Sequence, residues 1–419
     1  MLVQGRLLID PHKPPVPGWV RVEGGRIAEV GEGDSPALPA AGGSEAIITP
    51  GFIDAHLHLP QIDAIGCDGL ELLEWLERVI FPAELKWGNA GFAQQQIDEA
   101  HQRLLRAGTL GYAGYLTSHG HGIGGWIDSL RRFPLRATAG QVLMDRAGPP
   151  ALTNQVIEPL RGVPGDRASM SVNPRFAVSC SGDLLKTVAP MSAGLFMIQT
   201  HLAESKRECE VVLELFKECE SYTDVYERFG MLTQRTLLAH AVHLSEAEWR
   251  LIAERDSVVV HCPGANTFLE AGAFDLHAAR EHGVRLALGS DVAAGPDLAM
   301  PRVARSMIEV AKLRRILTGQ STPVPSPAEA WKMITRGNAE ALGWQDAGLI
   351  EPGARADLLV LQPPFEIDEH LIGRLIYTWR DAMIAARIVD GRLIDVPAVE
   401  NDSPVTAGRF PGAAGNGVD

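Results

Sequence analysis

Pro50-Gly51-Phe52-Ile53-Asp54-Ala55-His56-Leu57-His58-Leu59-Pro60-Gln61 is the stretch on which the reading of this chain turns. The Pro-Gly pair marks a turn, and the apolar run of Phe52 and Ile53 behind it predicts a buried strand ending in two histidines one residue apart. Residues i and i+2 share a face of an extended strand, so the rings of His56 and His58 can aim at one point. Neutral imidazole is a good ligand for zinc or iron(II), and two converging rings leave positions for other protein groups and a water. A His-x-His pair also arises by chance, so the motif gains weight only from what the rest of the chain places beside it.

Working outward, segments with strand character recur at 51–56, 109–116, 136–144, 171–178, 197–201, 236–240, 257–261 and 285–289. Helical patterns separate them at 70–79, 92–107, 123–133, 205–217, 246–254 and 274–282. Gly108 and Gly283 stand where a left-handed residue stops a helix, and Ser245 with Glu248 reads as a capping box. This alternation predicts an α/β fold, a (β/α)8 TIM-like barrel whose active site lies at the C-terminal ends of the strands. Shorter strand-like pieces lie outside it, at 6–9, 18–22 and 26–30 and again at 357–361, 383–389 and 392–394. Neither set could bury a core alone, so the termini are expected to pair into a small β-sandwich domain built from 1–50 and 355–400 around a barrel of 51–354. The Gly, Ala and Pro-rich end, 401–419, is expected to be a disordered tail.

Composition narrows the function. The 419 residues are 46% hydrophobic and 21% charged, ordinary for a globular chain with a large core. A net charge of −14 argues against nucleic acid and anionic membranes as partners, since both need a basic face, and favours a small diffusing substrate. Cys67, Cys180, Cys209, Cys219 and Cys262 are scattered, odd in number and free of Cys-x-x-Cys spacing, which suits a reducing compartment. With no signal-peptide pattern at the start and no long apolar run, the expected location is the cytoplasm.

With the strands placed, further polar residues gather at the same end. His201 closes the fifth strand, His240 the sixth and His261 the seventh, while Asp291 follows the eighth in Leu-Gly-Ser-Asp. Unrelated core histidines have no reason to collect at one mouth, so the set points to a metal centre. His119-Gly120-His121 is a second His-x-His in a glycine-rich loop, where two ligands cannot be held as firmly; a lid, a supporting role or none is expected. His243 is expected to begin the next helix, and His12, His101, His277, His282 and His370 to lie on loops or helix surfaces.

At these residues the chain resembles the metal-dependent amidohydrolases and, among them, the guanine deaminases. The supporting stretches are 50–61, Glu-Leu-Leu-Glu-Trp-Leu at 71–76, Phe-Pro-Ala-Glu at 81–84, Pro-Arg-Phe-Ala-Val-Ser-Cys-Ser at 174–181 and His-Leu-Ala-Glu-Ser at 201–205. Further on come Ser-Tyr-Thr-Asp-Val-Tyr at 221–226, Leu-Leu-Ala-His at 237–240, His-Cys-Pro-Gly-Ala-Asn at 261–266 and Gly-Ser-Asp-Val-Ala-Ala-Gly at 289–295. The resemblance implies that His56, His58, His201 and Asp291 bind one zinc per subunit, with iron(II) as the alternative, and that the protein is a homodimer. Dinuclear branches carry a bridging lysine on the fourth strand, and 171–178 contains none, which supports a single metal.

The implied reaction is hydrolysis of guanine to xanthine and ammonia, as in purine salvage or breakdown. Glu204, three residues past His201, is expected to take a proton from the attacking water and pass it to ring nitrogen N3, one helical turn on if a helix begins there. His240 would hold the water, with a metal-ligand role as the alternative, and Asp291 completes the catalytic group. Arg175 is expected to bind the carbonyl O6, Gln61 to read the 2-amino and ring-nitrogen edge, and Phe176 to pack on the ring, with His58, His201 and Glu204 also bordering the substrate. The plainer alternatives are a local acid partner for Arg175 and a surface position for Gln61; an unpaired buried guanidinium would be costly, so an anion, water or carbonyl is expected on it.

Gly264-Ala265, Ala294 and Asn173 depart from the guanine deaminase pattern and are expected near the pocket, where they bear on which heterocycle fits. A sister deaminase acting on 8-oxoguanine, a pterin or a triazine is therefore the alternative reading. A non-catalytic binding protein on the same fold is the third, disfavoured because such relatives usually lose ligands that this chain keeps.

Overall fold

The computed structural model describes residues 1–163, 165–319 and 322–396; the tail expected at 401–419 lies outside them. Its strands are β1 (Leu2–Leu7), β2 (Val16–Glu23), β3 (Arg26–Glu32), β4 (Ala41–Pro50), β5 (Phe52–His58), β6 (Thr109–Tyr115), β7 (Arg136–Gly140), β8 (Val142–Leu143), β9 (Ala168–Pro174) and β10 (Met197–Leu202). They continue with β11 (Thr236–His240), β12 (Val258–His261), β13 (Arg285–Leu288), β14 (Leu358–Leu361), β15 (Ile384–Val389) and β16 (Arg392–Ile394).

The two ends of the chain do meet in one sheet, ordered β16-β15-β14-β4-β1-β2-β3. The strand that joins them is β4, which runs parallel to β1 and antiparallel to β14, with Pro50 opposite Leu358 and Ile47 opposite Leu361. The sequence reading missed β4, because Gly42, Gly43, Ser44 and Glu45 hide a strand whose apolar part is only Ala46, Ile47 and Ile48. The first strand also lies earlier than 6–9. Alternation along Leu2–Leu7 turns Val3, Gly5 and Leu7 inward, and a period of two fixes the face.

The other sheet is a ring of eight parallel strands, β13-β12-β11-β10-β9-β7-β6-β5. Its strands are buried along nearly their whole length, Val258-Val259-Val260 among them, as parallel strands covered by helices should be. Hydrogen bonds from Asp291 N to His56 O (2.8 Å) and from His58 N to Val292 O (3.1 Å) stitch the last strand to the first. Asp54 reinforces the seam, its Oδ1 accepting from both His56 N and Ser290 N at 3.1 and 2.9 Å. Gly289 is required there, since a Cβ would stand 2.7 Å from that of His56.

Several elements shift from their expected positions. The third strand breaks at Gln141 into β7 and β8, and the fourth stops at Pro174, so Arg175 and Phe176 stand on the loop beyond it. The expected helices appear at Leu72–Trp75, Ala90–Ala107, His121–Arg132, Lys206–Leu215, Glu246–Glu254 and Leu276–Glu281. Gly108 adopts φ +83 and Gly283 φ +69, and Ser245 with Glu248 closes the capping box. The 19-residue helix Met300–Thr318 was not anticipated, although its inward Met300, Val303, Ala304, Met307 and Ile308 follow a helical stripe. His101, expected at a surface, is buried between Ser129 Oγ (2.8 Å) and Tyr112 OH (2.7 Å). No helix among the described residues is long and apolar enough to cross a membrane.

Candidate metal centre and substrate cavity

Strand geometry delivers the first two side chains as their spacing predicts. His56 and His58 end β5 on one face, and their Nε2 atoms lie 3.2 and 3.3 Å from the same oxygen, Oδ1 of Asp291. His201 comes from β10, with Nε2 3.0 Å from His58 Nε2. One ligand atom from each of His56, His58, His201 and Asp291 lies within 4.8 Å of the others, all four residues being buried. The backbone is bent to achieve this: Asp291 has φ +50 and His240 φ +71, a region that costs non-glycine residues about 1–3 kcal/mol.

The donor set fits a cation. His201 Nδ1 lies 2.5 Å from Arg175 O, an acceptor, so Nδ1 carries the hydrogen and Nε2 offers a lone pair. Burial drives the His201 pKa well below its ordinary value and lowers that of His58, so both rings stand neutral near pH 7. Two neutral nitrogens 3.0 Å apart beside a carboxylate, with His56 Nε2 lacking a hydrogen-bond partner, form a donor set whose chemistry suits a cation.

His240, at the end of β11, stands next to this group with Nε2 3.5 Å from Glu204 Oε2 and 3.7 Å from Asp291 Oδ2. Its Nδ1 faces Asn266 Oδ1 at 2.8 Å, which leaves Nε2 unpartnered, and burial lowers its pKa to about 4. Glu204 does not lie on a helix. It precedes Lys206–Leu215, and its backbone N–H donates to Glu208 Oε2 at 2.7 Å. Burial, and after it the charge of Asp291, pushes the Glu204 carboxyl well above the ordinary range, and its Oε1 has no partner. Glu208 itself receives Tyr222 OH at 2.7 Å, and the same hydroxyl accepts from Ala177 N at 3.2 Å. The loop after β9 and the loop after β10 are thereby tied together.

A partly enclosed cavity opens onto the centre, lined by Gln61, Arg175, Phe176, Glu204, His58, His201 and Asp291. Leu72, Trp75, Leu76, Leu269 and Ala294 supply its apolar wall, a combination suited to a flat heterocycle. Arg175 is not waiting for an anion or water. Its Nη1 is paired with Glu84 Oε2 at 2.7 Å, while Gln61, buried rather than on the surface, donates to Glu84 Oε1 at 3.0 Å. The sequence reading missed Glu84 as a site residue, together with Asn266, Glu208 and Tyr222; Glu84, Asn266 and Tyr222 lie within the motifs named above, but nothing local says which way a carboxylate, amide or hydroxyl points.

Other candidates fall outside. His261 stacks on Phe274 at 4.4 Å and does not join the converging ligand atoms. His119 and His121 stack on each other at 5.6 Å, and His121 Nε2 donates to Trp87 O at 2.8 Å. His243 lies on the loop before Glu246–Glu254 rather than in the helix, with Nε2 2.7 Å from Ala271 O. Of the departures, Ala294 lines the cavity, whereas the Asn173 amide donates to Gly114 O inside the barrel and Gly264 and Ala265 sit away from the cavity wall.

Comparison with known proteins agrees with this geometry. The amidohydrolase family model matches residues 47–394. The guanine deaminase of Dictyostelium discoideum is 33% identical over 307 residues, 70% of this chain and 68% of that one. That of Escherichia coli K12 is 29% identical over 372 residues, 83% of each chain. The crystal structure of a guanine deaminase from C. acetobutylicum with guanine in its active site superposes with a TM-score of 0.88 at 28% identity, covering 94% of this chain and 99% of that one. With the family model spanning 47–394 and a guanine deaminase 33% identical over about two thirds of each chain, the chain belongs to the amidohydrolase family and, within it, to the guanine deaminases.

Proposed function

We propose that this protein is a zinc enzyme that hydrolyses guanine to xanthine and ammonia. The observation that carries the reading is the placement of Glu204, a buried carboxyl with raised proton affinity, beside the His56/His58/His201/Asp291 cluster in the wall of a cavity that also presents Arg175, Gln61 and Phe176. Zinc held by those four residues would act as a Lewis acid and make water available as a nucleophile near neutral pH. Iron(II) is the alternative occupant. No bridging lysine stands on β9, in keeping with a single metal.

The chain's own groups divide the remaining work. His240, its Nδ1–H held on Asn266 Oδ1, offers a bare Nε2 that accepts a hydrogen from the attacking water and turns an oxygen lone pair toward C2. Glu204 takes one proton from that water and returns it to N3, and the water's second proton passes from the new C2 hydroxyl to the exocyclic amine as the C2–N bond breaks, so that ammonia leaves and the C2 carbonyl of xanthine forms. The Arg175 guanidinium retains donors beyond the one given to Glu84 and can hold the carbonyl O6, with Phe176 against the ring. Leu72, Trp75 and Leu76 keep bulk water from the bound ring.

The test is zinc-loaded protein assayed for ammonia and xanthine from guanine. One-to-one release is expected. Faster ammonia release from 8-oxoguanine, a pterin or an aminotriazine would assign the site to a sister substrate, a contest in which Ala294 on the cavity wall has the most direct say.

A further inference from the structure

Glu84, in the helix Phe81–Leu85, is 1% exposed, and both of its oxygens are engaged by cavity residues. Oε1 accepts from Gln61 Nε2 at 3.0 Å and Oε2 from Arg175 Nη1 at 2.7 Å. A carboxylate is an acceptor only, so the amide must give its NH2 to Glu84, which leaves the carbonyl Oε1 of Gln61 on the side away from it. Arg175 is clamped at the same time. Phe81 of the same helix lies 5.4 Å from its guanidinium, and its backbone oxygen faces His201 Nδ1.

We infer that Glu84 is a specificity-determining positioning residue that fixes Gln61 as an acceptor beside Arg175 as a donor, so that the cavity selects a heterocycle edge carrying a carbonyl next to an N–H. The two oxygens of one carboxylate are spaced much like the oxygen and nitrogen of a lactam, so the groups they hold are matched to such an edge. A ring offering the opposite polarity, an amino group next to a bare ring nitrogen, would leave the Gln61 carbonyl and the guanidinium both facing the wrong partner in a dry site. Sites built this way reject the mismatched ligand strongly. The inference rests on the deaminase reading, since it refines which edge of the purine is held while C2 faces the metal cluster.

The test separates binding from turnover by using purines without a 2-amino group. Hypoxanthine carries the lactam edge and adenine the reversed one; calorimetry on the zinc-loaded protein should give hypoxanthine at least about a tenfold advantage, the worth of roughly one buried hydrogen bond. Glu84→Gln, whose amide can face Gln61 in either sense, should cut that advantage at least threefold (a rough figure, on the same scale) while metal content stays unchanged, and the thermal midpoint should fall because the buried Arg175 guanidinium loses its counter-charge. A merely structural role would weaken both ligands alike, and that result, or equal binding by the wild type, overturns the inference. If Glu84→Gln does not fold, wild-type binding of 1-methylhypoxanthine as tight as hypoxanthine overturns it too, and weaker binding supports it. Absence of guanine turnover in the same preparation would count against the deamination reading alone.

Discussion

The chain holds two His-x-His pairs, and only one joins the cluster that could hold a metal. His56 and His58 sit on β5, where a period of two puts both rings on one face and the seam with Asp291 supplies a carboxylate about 3 Å away. His119 and His121 straddle the junction between a loop and the helix His121–Arg132, and their rings lie flat against each other, one bonded to a main-chain carbonyl. The same three-letter motif gives convergence on a strand and stacking at a helix start. What makes a ligand pair is the element beneath it together with a third group arriving from elsewhere in the chain.

That contrast can be broken or sharpened by mutation. The largest effect is expected from Asp291→Ala, which removes the carboxylate that both β5 histidines face: metal analysis should show loss of stoichiometric zinc, and guanine turnover should fall to background. Retained zinc would mean the β5 pair needs no third group, and the distinction drawn here would fail. Next comes Glu204→Gln, expected to keep the zinc and lose roughly 10²–10⁴-fold in kcat, the usual worth of a positioned proton carrier; wild-type activity would remove Glu204 from the chemistry. His121→Ala should do least. Zinc content and kcat should be unchanged, while the loss of the hydrogen bond to Trp87 O lowers stability by about 1 kcal/mol in a denaturant titration. Any loss of metal there would put the second pair back among the ligands.

Much of this was legible in the sequence because it depends on local periodicity. The eight barrel strands, the helix stop at Gly108 and the capping box at Ser245 each follow from residues a few positions apart. So did the convergence of His56, His58, His201 and Asp291, since residues at successive strand ends are bound to share a mouth. What escaped depends on partners far off in the chain. β4 is a strand because β1 and β14 flank it, not because its own sequence demands extension. Glu84 matters because it meets Arg175, 91 positions away, and Gln61, 23 positions away. The helix Met300–Thr318 is a different case: its apolar stripe was present to be read and simply was not.

β4 passes through Gly51 directly into β5, so the strand that presents His56 and His58 is an extension of one clamped by β14, some 300 residues downstream. During synthesis a nascent chain that has emerged only as far as Asp291 already carries His56, His58, His201 and Asp291, yet lacks the strand that pairs with the segment leading into the first two.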